Sequence, residues 1–207
     1  MKNAMPPREP TVFIVDDDAS VRDSLEYLLQ SVGLRTRKYA SGTEFLEAYD
    51  PASPGCLVLD VRMPGMSGME LQQRLEELGS TLPIIFITAH GDVPMAVQAV
   101  KAGAVDFLIK PFRDQEVLDK VQQSIHEDTK ARDQVEHRRE VLERLASLTP
   151  REREVLDMVV DGKANKGIAV ELGISQRTVE VHRARVMEKM QAGSVARLVQ
   201  MVMSLRE

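Results

Sequence analysis

Val12-Phe-Ile-Val-Asp16-Asp17-Asp18 and Cys56-Leu-Val-Leu-Asp60 are apolar runs that end in carboxylates, and Phe107-Leu-Ile-Lys110 is a similar run that ends in an ammonium group. Short apolar runs between helical stretches predict buried parallel strands. Because the functional groups of open parallel sheets lie just beyond the carboxyl ends of the strands, we expect these polar groups to meet at one rim. Such a cluster suits a divalent cation and a phosphoryl group.

Residues 11–125 alternate between apolar runs and amphipathic stretches. We predict strands at 11–15, 34–39, 57–59, 82–88 and 107–109, and helices at 20–31, 42–49, 67–78, 93–102 and 114–125. Five such units predict an α/β fold, a doubly wound five-stranded parallel sheet with right-handed crossovers. We interpret Asp18 as the cap of the first helix, Asp92 as a helix cap, Asp106 as a residue preceding a strand, and His90 as a loop residue.

Composition indicates a soluble protein with packed cores. The apolar fraction is 43%, the charged fraction is 29%, and no apolar run reaches the ~18 residues of a transmembrane helix. Residues 1–10 have no apolar signal core and are predicted to be a flexible tail. The lone Cys56 argues against a disulfide framework and a cysteine metal site, and indicates a buried, inert thiol in a reducing cytoplasm.

Charge and pattern both change along the chain. Residues 1–125 carry 12 Lys+Arg against 18 Asp+Glu, whereas residues 148–207 carry 10 against 8. Residues 126–147 contain no Gly or Pro, mix both signs of charge and are predicted to form a helical linker with a thin apolar stripe. We favour a solvated linker helix over a dimeric coiled coil, because the segment between Ile125 and Val135 is too polar for a sustained heptad seam.

From Leu148 onward the apolar pattern is helical. We predict helices at 150–160, 165–172, 176–190 and 195–204, the first of them capped by Thr149. The turn Leu172-Gly-Ile-Ser175 joins two of these helices as a helix-turn-helix, in which Gly173 supplies a positive φ and Ile174 fills the angle between the helices. Exposed cations on the second helix favour DNA as the ligand over the alternative, a small helical bundle that binds protein.

These motifs together resemble a known family. The segments Val-Asp-Asp-Asp, Leu-Asp-Val-Arg-Met-Pro-Gly-Met-Ser-Gly, Thr-Ala-His-Gly-Asp-Val-Pro-Met-Ala and Lys-Pro-Phe resemble a two-component receiver domain. Leu-Thr-Pro-Arg-Glu-Arg-Glu-Val and Asn-Lys-Gly-Ile-Ala resemble the output domain of NarL/FixJ (LuxR-type) regulators, closest to the FixJ subgroup. The resemblance implies a receiver at 11–125 with strand order 2-1-3-4-5 and a separate, all-α, four-helix DNA-binding domain at 148–207.

The resemblance also assigns roles at the rim. Asp60 would accept a phosphoryl group from a sensor histidine kinase, and Lys110 would pair with that group. Mg²⁺ would be held by Asp17, by Asp60 and by the backbone carbonyl of Arg62, with Asp16 bound to a metal-coordinated water. A turnover phosphatase is disfavoured, because the acid that such enzymes carry two residues after the nucleophile is here Arg62. Any phosphatase activity would be slow autodephosphorylation.

The resemblance implies a switch formed by a hydroxyl at the end of the fourth strand and an aromatic residue on the fifth. The Thr88 hydroxyl would bond the phosphoryl oxygen and Phe107 would fill the vacated space, although Phe107 could also be an ordinary core residue. Pro111 is expected to follow a cis peptide. Phosphorylation would then favour a homodimer through the surface of Val93–Lys101 and the fifth strand.

The resemblance implies that the helix at 176–190 enters the major groove of promoter DNA. RNA polymerase is a further possible partner, and no membrane is expected to be one. Lys166 and Lys189 would contact phosphates, and Val181 would make apolar base contacts. The complete set of expected DNA-binding residues is Lys166, Thr178, Glu180, Val181, His182, Arg183, Ala184, Arg185 and Lys189.

Overall fold

The computed structural model describes residues 9–89 and 106–205. The chain forms two compact units, divided between Arg132 and Asp133. The predicted helix at 93–102, the loop residues His90 and Asp92, and most of the predicted tail lie outside the described residues.

The first unit is built on a parallel five-stranded sheet. Its strands are β1 (Thr11–Val15), β2 (Arg35–Tyr39), β3 (Gly55–Asp60), β4 (Ile84–Ala89) and β5 (Asp106–Lys110). The strand order is β2-β1-β3-β4-β5, which confirms the predicted topology. Central strand β3 is buried at every residue, as a strand covered on both faces must be.

Helices cover the two faces of this sheet and bury separate cores. The described helices here are α1 (Ala19–Ser31), α2 (Gly42–Ala48), α3 (Gly68–Glu77) and α4 (Asp114–Ala146). One core joins Val12 and Ile14 of β1 to Leu25 of α1 and Val117 of α4. The other packs Phe45 of α2 against the opposite sheet face. The side chain of Asp18 accepts a hydrogen bond from the Ser20 N–H and caps α1, as predicted.

Helix α4 is one continuous helix of 33 residues, where the sequence predicted a fifth receiver helix followed by a separate linker helix. Its residue Asp128 is buried and accepts the backbone N–H of Gly55 at 2.9 Å. The Arg132 Nε lies 2.9 and 2.8 Å from the two oxygens of the Asp128 carboxylate. Arg132 also donates to the carbonyl of Pro51. The first part of the predicted linker is therefore anchored to the base of β3. Among the described helices, none is both long and apolar enough to cross a bilayer.

The second unit comprises the end of α4 and four further described helices: α5 (Pro150–Val160), α6 (Asn165–Leu172), α7 (Gln176–Lys189) and α8 (Val195–Met203). Val141 of α4 is fully buried in its core, together with Val155, Ile168 and Val179. Arg138 of α4 donates to the carbonyls of Ser204 and Leu205, which follow α8. The last part of the predicted linker thus packs as a fifth helix of this unit.

Candidate functional site

Three charged side chains meet at the carboxyl rim of the sheet. Asp16 follows β1, Asp60 ends β3 and Lys110 ends β5, and the parallel register brings these ends to the same edge. The Lys110 Nζ donates to Asp16 Oδ2 at 2.9 Å and to Asp60 Oδ1 at 2.8 Å. The Lys110–Pro111 peptide is cis, as expected. The sequence prediction of a shared rim holds for these residues.

The rest of the Asp60 carboxylate is held by its own loop. Its Oδ2 accepts the backbone N–H of Arg62 at 2.8 Å, so each oxygen has at least one donor. Gly68, the first residue of α3, lies directly over this strand end, because a Cβ placed there would stand 2.3 Å from the Asp60 carbonyl oxygen. Gly68 also donates its N–H to the Val61 carbonyl. Only glycine allows α3 to start so close to Asp60.

The pKa values of Asp60 and Lys110 are both raised above the ordinary values of these side chains. Burial raises the pKa of the Asp60 carboxyl, although hydrogen bonding and charge from Lys110 act in the opposite direction. Burial acts to lower the pKa of Lys110, but its hydrogen bonds to Asp60 and Asp16 outweigh it and raise that pKa. Lys110 therefore stays charged next to carboxylates that are largely removed from water.

The oxygens at this rim are hard donors, the type that Mg²⁺ prefers. Asp16 and Asp60 are both buried, whereas Asp17 is exposed in the loop after β1. Within residues 9–89 and 106–205, no three acidic, His or Cys side chains are gathered into a ready metal cage. The donor set therefore fits an ion that takes one or two carboxylates and fills its remaining positions with water and phosphate oxygens.

Arg22 is a site residue that the sequence prediction missed. From α1 its Nη1 donates to the backbone carbonyls of Asp16 at 2.7 Å and Asp17 at 3.0 Å. It thereby fixes the loop that carries both acids. The signal available in the sequence was its position on the first turn of α1, four residues after Asp18.

Thr88 and Phe107 lie on the neighbouring strands β4 and β5, Thr88 close to the carboxyl rim and Phe107 near the start of its strand. Thr88, near the end of β4, is 1% exposed. Phe107 of β5 pairs with Phe86 and packs, partly buried, against the core beneath α2 and α3. Both the switch role and the core role of Phe107 are compatible with this position.

The second unit contains the predicted helix-turn-helix. Helix α6 ends at Gly173, whose φ of 63° is left-handed, and Ser175 caps α7 by accepting the Thr178 N–H. Ile174 packs partly buried against the core, as predicted. Helix α7 turns Val179 and Val186 inward, so its opposite side faces outward.

The nine residues predicted to bind DNA divide into two groups. Five are exposed: Lys166, Glu180, Val181, Ala184 and Arg185. Four are half-buried: Thr178, His182, Arg183 and Lys189. The Thr178 hydroxyl bonds Ser175 at the helix cap, and the buried Nδ1 of His182 has no hydrogen-bond partner within the described residues.

Arg183 and Lys189, two of the predicted DNA contacts, also form bonds inside the unit. The Arg183 Nη1 donates to the Asn165 side chain at 2.6 Å and so joins α7 to the start of α6. The Lys189 Nζ lies 2.6 Å from the buried Glu152 carboxylate of α5 and 3.2 Å from the Ser147 carbonyl. The sequence does not indicate these bonds, because the partners lie 18 and 37 residues away on other helices.

Two family models match the chain. The model of the response regulator receiver domain matches residues 12–122. The model of bacterial regulatory proteins of the luxR family matches residues 146–202.

Relatives and solved structures match nearly the whole chain. The transcriptional regulatory protein FixJ of Azorhizobium caulinodans is 48% identical over 95% of this chain and 93% of its own length. The transcriptional regulatory protein TdiR of Thauera aromatica is 49% identical over 93% and 85%. The structure of the response regulator StyR is 48% identical with a TM-score of 0.85, covering 94% of this chain and 98% of that one. Full-length FixJ from B. japonicum has 44% identity and a TM-score of 0.61, covering 96% and 98%.

Proposed function

The chain belongs to the response regulators that join a receiver domain to a LuxR-type DNA-binding domain, and we propose that Asp60 is the phosphoacceptor through which this phosphorylation-dependent transcription regulator is controlled. The observation that carries the proposal is the single ammonium of Lys110, which bonds both Asp16 and Asp60. A carboxylate can attack a kinase phosphohistidine only where the charge of the transferring phosphoryl group is neutralised. Lys110 supplies part of that charge.

Mg²⁺ supplies the remaining charge when it is bound. Asp17, Asp60 and the Arg62 carbonyl would hold it, with Asp16 acting through water, and Arg22 keeps the Asp16–Asp17 loop in position for this. Thr88 and Phe107 are the proposed switch residues. The chemistry stops at the phosphoaspartate apart from slow autodephosphorylation, since the Arg62 guanidinium cannot act as a general acid.

The second unit would read promoter DNA in the cytoplasm, with α7 in the major groove. Lys166 and Arg185 are the proposed phosphate contacts, because they are exposed and have no intramolecular partner within the described part of the chain. Phosphorylation would promote a homodimer through β5, an edge strand of the sheet, and the neighbouring segment Val93–Lys101. RNA polymerase is a proposed partner at the promoter.

Labelling of the full chain by acetyl phosphate with Mg²⁺ tests the assignment of Asp60. Wild type should gain one phosphoryl group by mass spectrometry and Asp60→Asn should gain none, because the amide is not a nucleophile. Asp18→Asn is the matched control: Asn is an equally good helix cap, so labelling should equal that of wild type. Labelling of Asp60→Asn at the wild-type level would refute the assignment.

A further inference from the structure

The outward face of α7 carries no net charge. Its exposed residues are Gln176, Arg177, Glu180, Val181, Ala184, Arg185 and Glu188, two cations and two acids among them. The other cations of this helix, Arg183 and Lys189, are bonded inside the unit. A helix that enters the groove of a polyanion with this face gains little from charge. Any direct reading of sequence by this face depends on its contacts with base edges, because phosphate contacts carry no sequence information.

Glu180 is the exceptional member of this face. It is the fifth residue of α7, in the half of a recognition helix that lies nearest the base edges. Its side chain is 51% exposed, and its ion pair with Arg177, at 3.5 Å, is long and exposed and therefore weak. A carboxylate that moves into the groove loses water and is repelled by phosphates, so its entry is favourable only where a base donates a hydrogen bond to it.

Two bases offer such a donor in the major groove. Adenine presents its N6 amino group beside the N7 acceptor, whereas cytosine presents its N4 amino group with no acceptor next to it on the same base. A carboxylate has only acceptor oxygens, so at adenine it would face the N7 lone pair, and cytosine is the better partner. The adjacent Val181, 40% exposed, offers the apolar surface that suits a thymine methyl group.

We propose that Glu180 determines the DNA sequence preference of this protein by accepting a hydrogen bond from the N4 amino group of a cytosine. The inference rests on the proposed function of α7 as the helix that enters the major groove. Glutamine at this position would instead match adenine, because an amide both accepts from N6 and donates to N7. The two side chains have nearly the same shape, so the exchange of oxygen for an amide nitrogen isolates the chemistry of recognition.

Selection from a random duplex library by the phosphorylated full chain tests the proposal. Wild type should enrich a motif with cytosine at one position, and Glu180→Gln should change that position to adenine, with a preference of about ten-fold in measured affinity and the rest of the motif retained. Glu154→Gln is the control, since Glu154 forms an Arg–Glu pair of the same spacing and is also 51% exposed, on α5. It should select the wild-type motif.

Arg177→Ala separates direct reading from an indirect effect through the neighbouring arginine. It should keep the cytosine preference. If Arg177→Ala removes that preference, or if Glu180→Gln selects the wild-type motif, Glu180 does not read the base and the inference is overturned while DNA recognition by α7 stands. If wild type itself enriches no motif, the proposed function fails and the inference falls with it.

Discussion

Glu152 is a buried carboxylate in the first turn of α5, and its acidity differs strongly from that of an ordinary glutamate. Its carboxylate accepts the Thr149 N–H at 2.9 Å in a capping box and lies 2.6 Å from the Lys189 Nζ. The hydrogen bond to Lys189, followed by the one from Thr149, lowers the pKa of Glu152 to about 2. The start of α5 and the end of α7 are thus held by one buried carboxylate.

This pKa predicts how acid weakens the second unit. The pKa in the folded state lies below the ordinary 4.5, so the stabilisation by Glu152 is fully present above about pH 4.5 and is lost as pH falls toward about 2. The difference in unfolding free energy between wild type and Glu152→Gln should therefore be constant above about pH 5 and shrink below it. Denaturant titrations monitored by hydrogen exchange of α5 and α7 would measure it. A difference that grew on acidification would contradict the assignment.

The contacts of a single residue could be predicted from the sequence where they follow from the residue's position in its own strand or helix. Asp16, Asp60 and Lys110 could be placed from the sequence, because each stands at the end of a strand and parallel strands end at one edge. Lys189 could not, because its partner Glu152 comes from another helix. A cation at the margin of an amphipathic helix has the same pattern whether it faces solvent or a buried acid.

At the scale of elements, close packing of α3 on β3 makes Gly68 a requirement of the acceptor site. A Cβ at this position would collide with the carbonyl oxygen of Asp60. We expect Gly68→Ala to displace the Asp60 loop and lower the rate of labelling by acetyl phosphate at least ten-fold, because a shift of about 1 Å in a reacting group can cost about 100-fold. Gly167→Ala, a helical position with open space around it, should label as wild type does. Normal labelling of Gly68→Ala would mean that the loop tolerates the shift.

A second prediction at the scale of elements concerns the anchoring of helix α4 by Asp128. Asp128→Asn leaves the Arg132 guanidinium beside an uncharged amide in a largely buried place, which should destabilise the first unit by about 2 kcal/mol or more in urea denaturation. Glu136→Gln alters an exposed pair on the same helix and should cost less than about 0.5 kcal/mol. If the two substitutions lowered the unfolding free energy equally, Asp128 would not be anchoring α4 to the first unit.

For the whole molecule, the distribution of unpaired cations predicts the salt dependence of DNA binding. Lys166→Ala and Arg185→Ala should each lower the slope of log affinity against log salt by about one, since each removes one phosphate contact. Lys189→Ala should lower the stability of the second unit and leave the slope unchanged, because its ammonium serves Glu152. Anisotropy titrations with a labelled duplex at several salt concentrations would distinguish them. A reduced slope for Lys189→Ala would show that Lys189 contacts a DNA phosphate.

Phosphorylation should also change the association state. We expect sedimentation to find a monomer that dimerises when the full chain is phosphorylated or loaded with beryllofluoride. Asp60→Asn should remain monomeric under phosphorylating conditions, because it has no acceptor carboxylate. A dimer in both proteins, lost when residues 126–147 are deleted, would identify the helical segment as the interface instead.

The organisation of the whole chain was predictable except at its middle. The sequence predicted two domains and the sheet order, because strand–helix alternation and a purely helical pattern are distinct signals. It predicted a solvated linker at 126–147, since one buried Asp and one buried Val in a charged helix produce no recognisable periodicity. The contacts of Asp128 and Val141 assign the two ends of that stretch to different units.

That division has a consequence for how such genes can be recombined. A fusion protein that takes residues 1–125 from one regulator and the rest from another would remove Asp128 and Arg132 from the first unit, which they help to hold together. A join at residue 147 would deprive the other half of Arg138 and Val141. A junction between Arg132 and Asp133 keeps each of these side chains in the unit that it contacts, and this junction lies within a continuous helix. Chimeras of such regulators should therefore fold best when the two genes are joined inside the sequence of this helix, although domain boundaries are usually placed in loops.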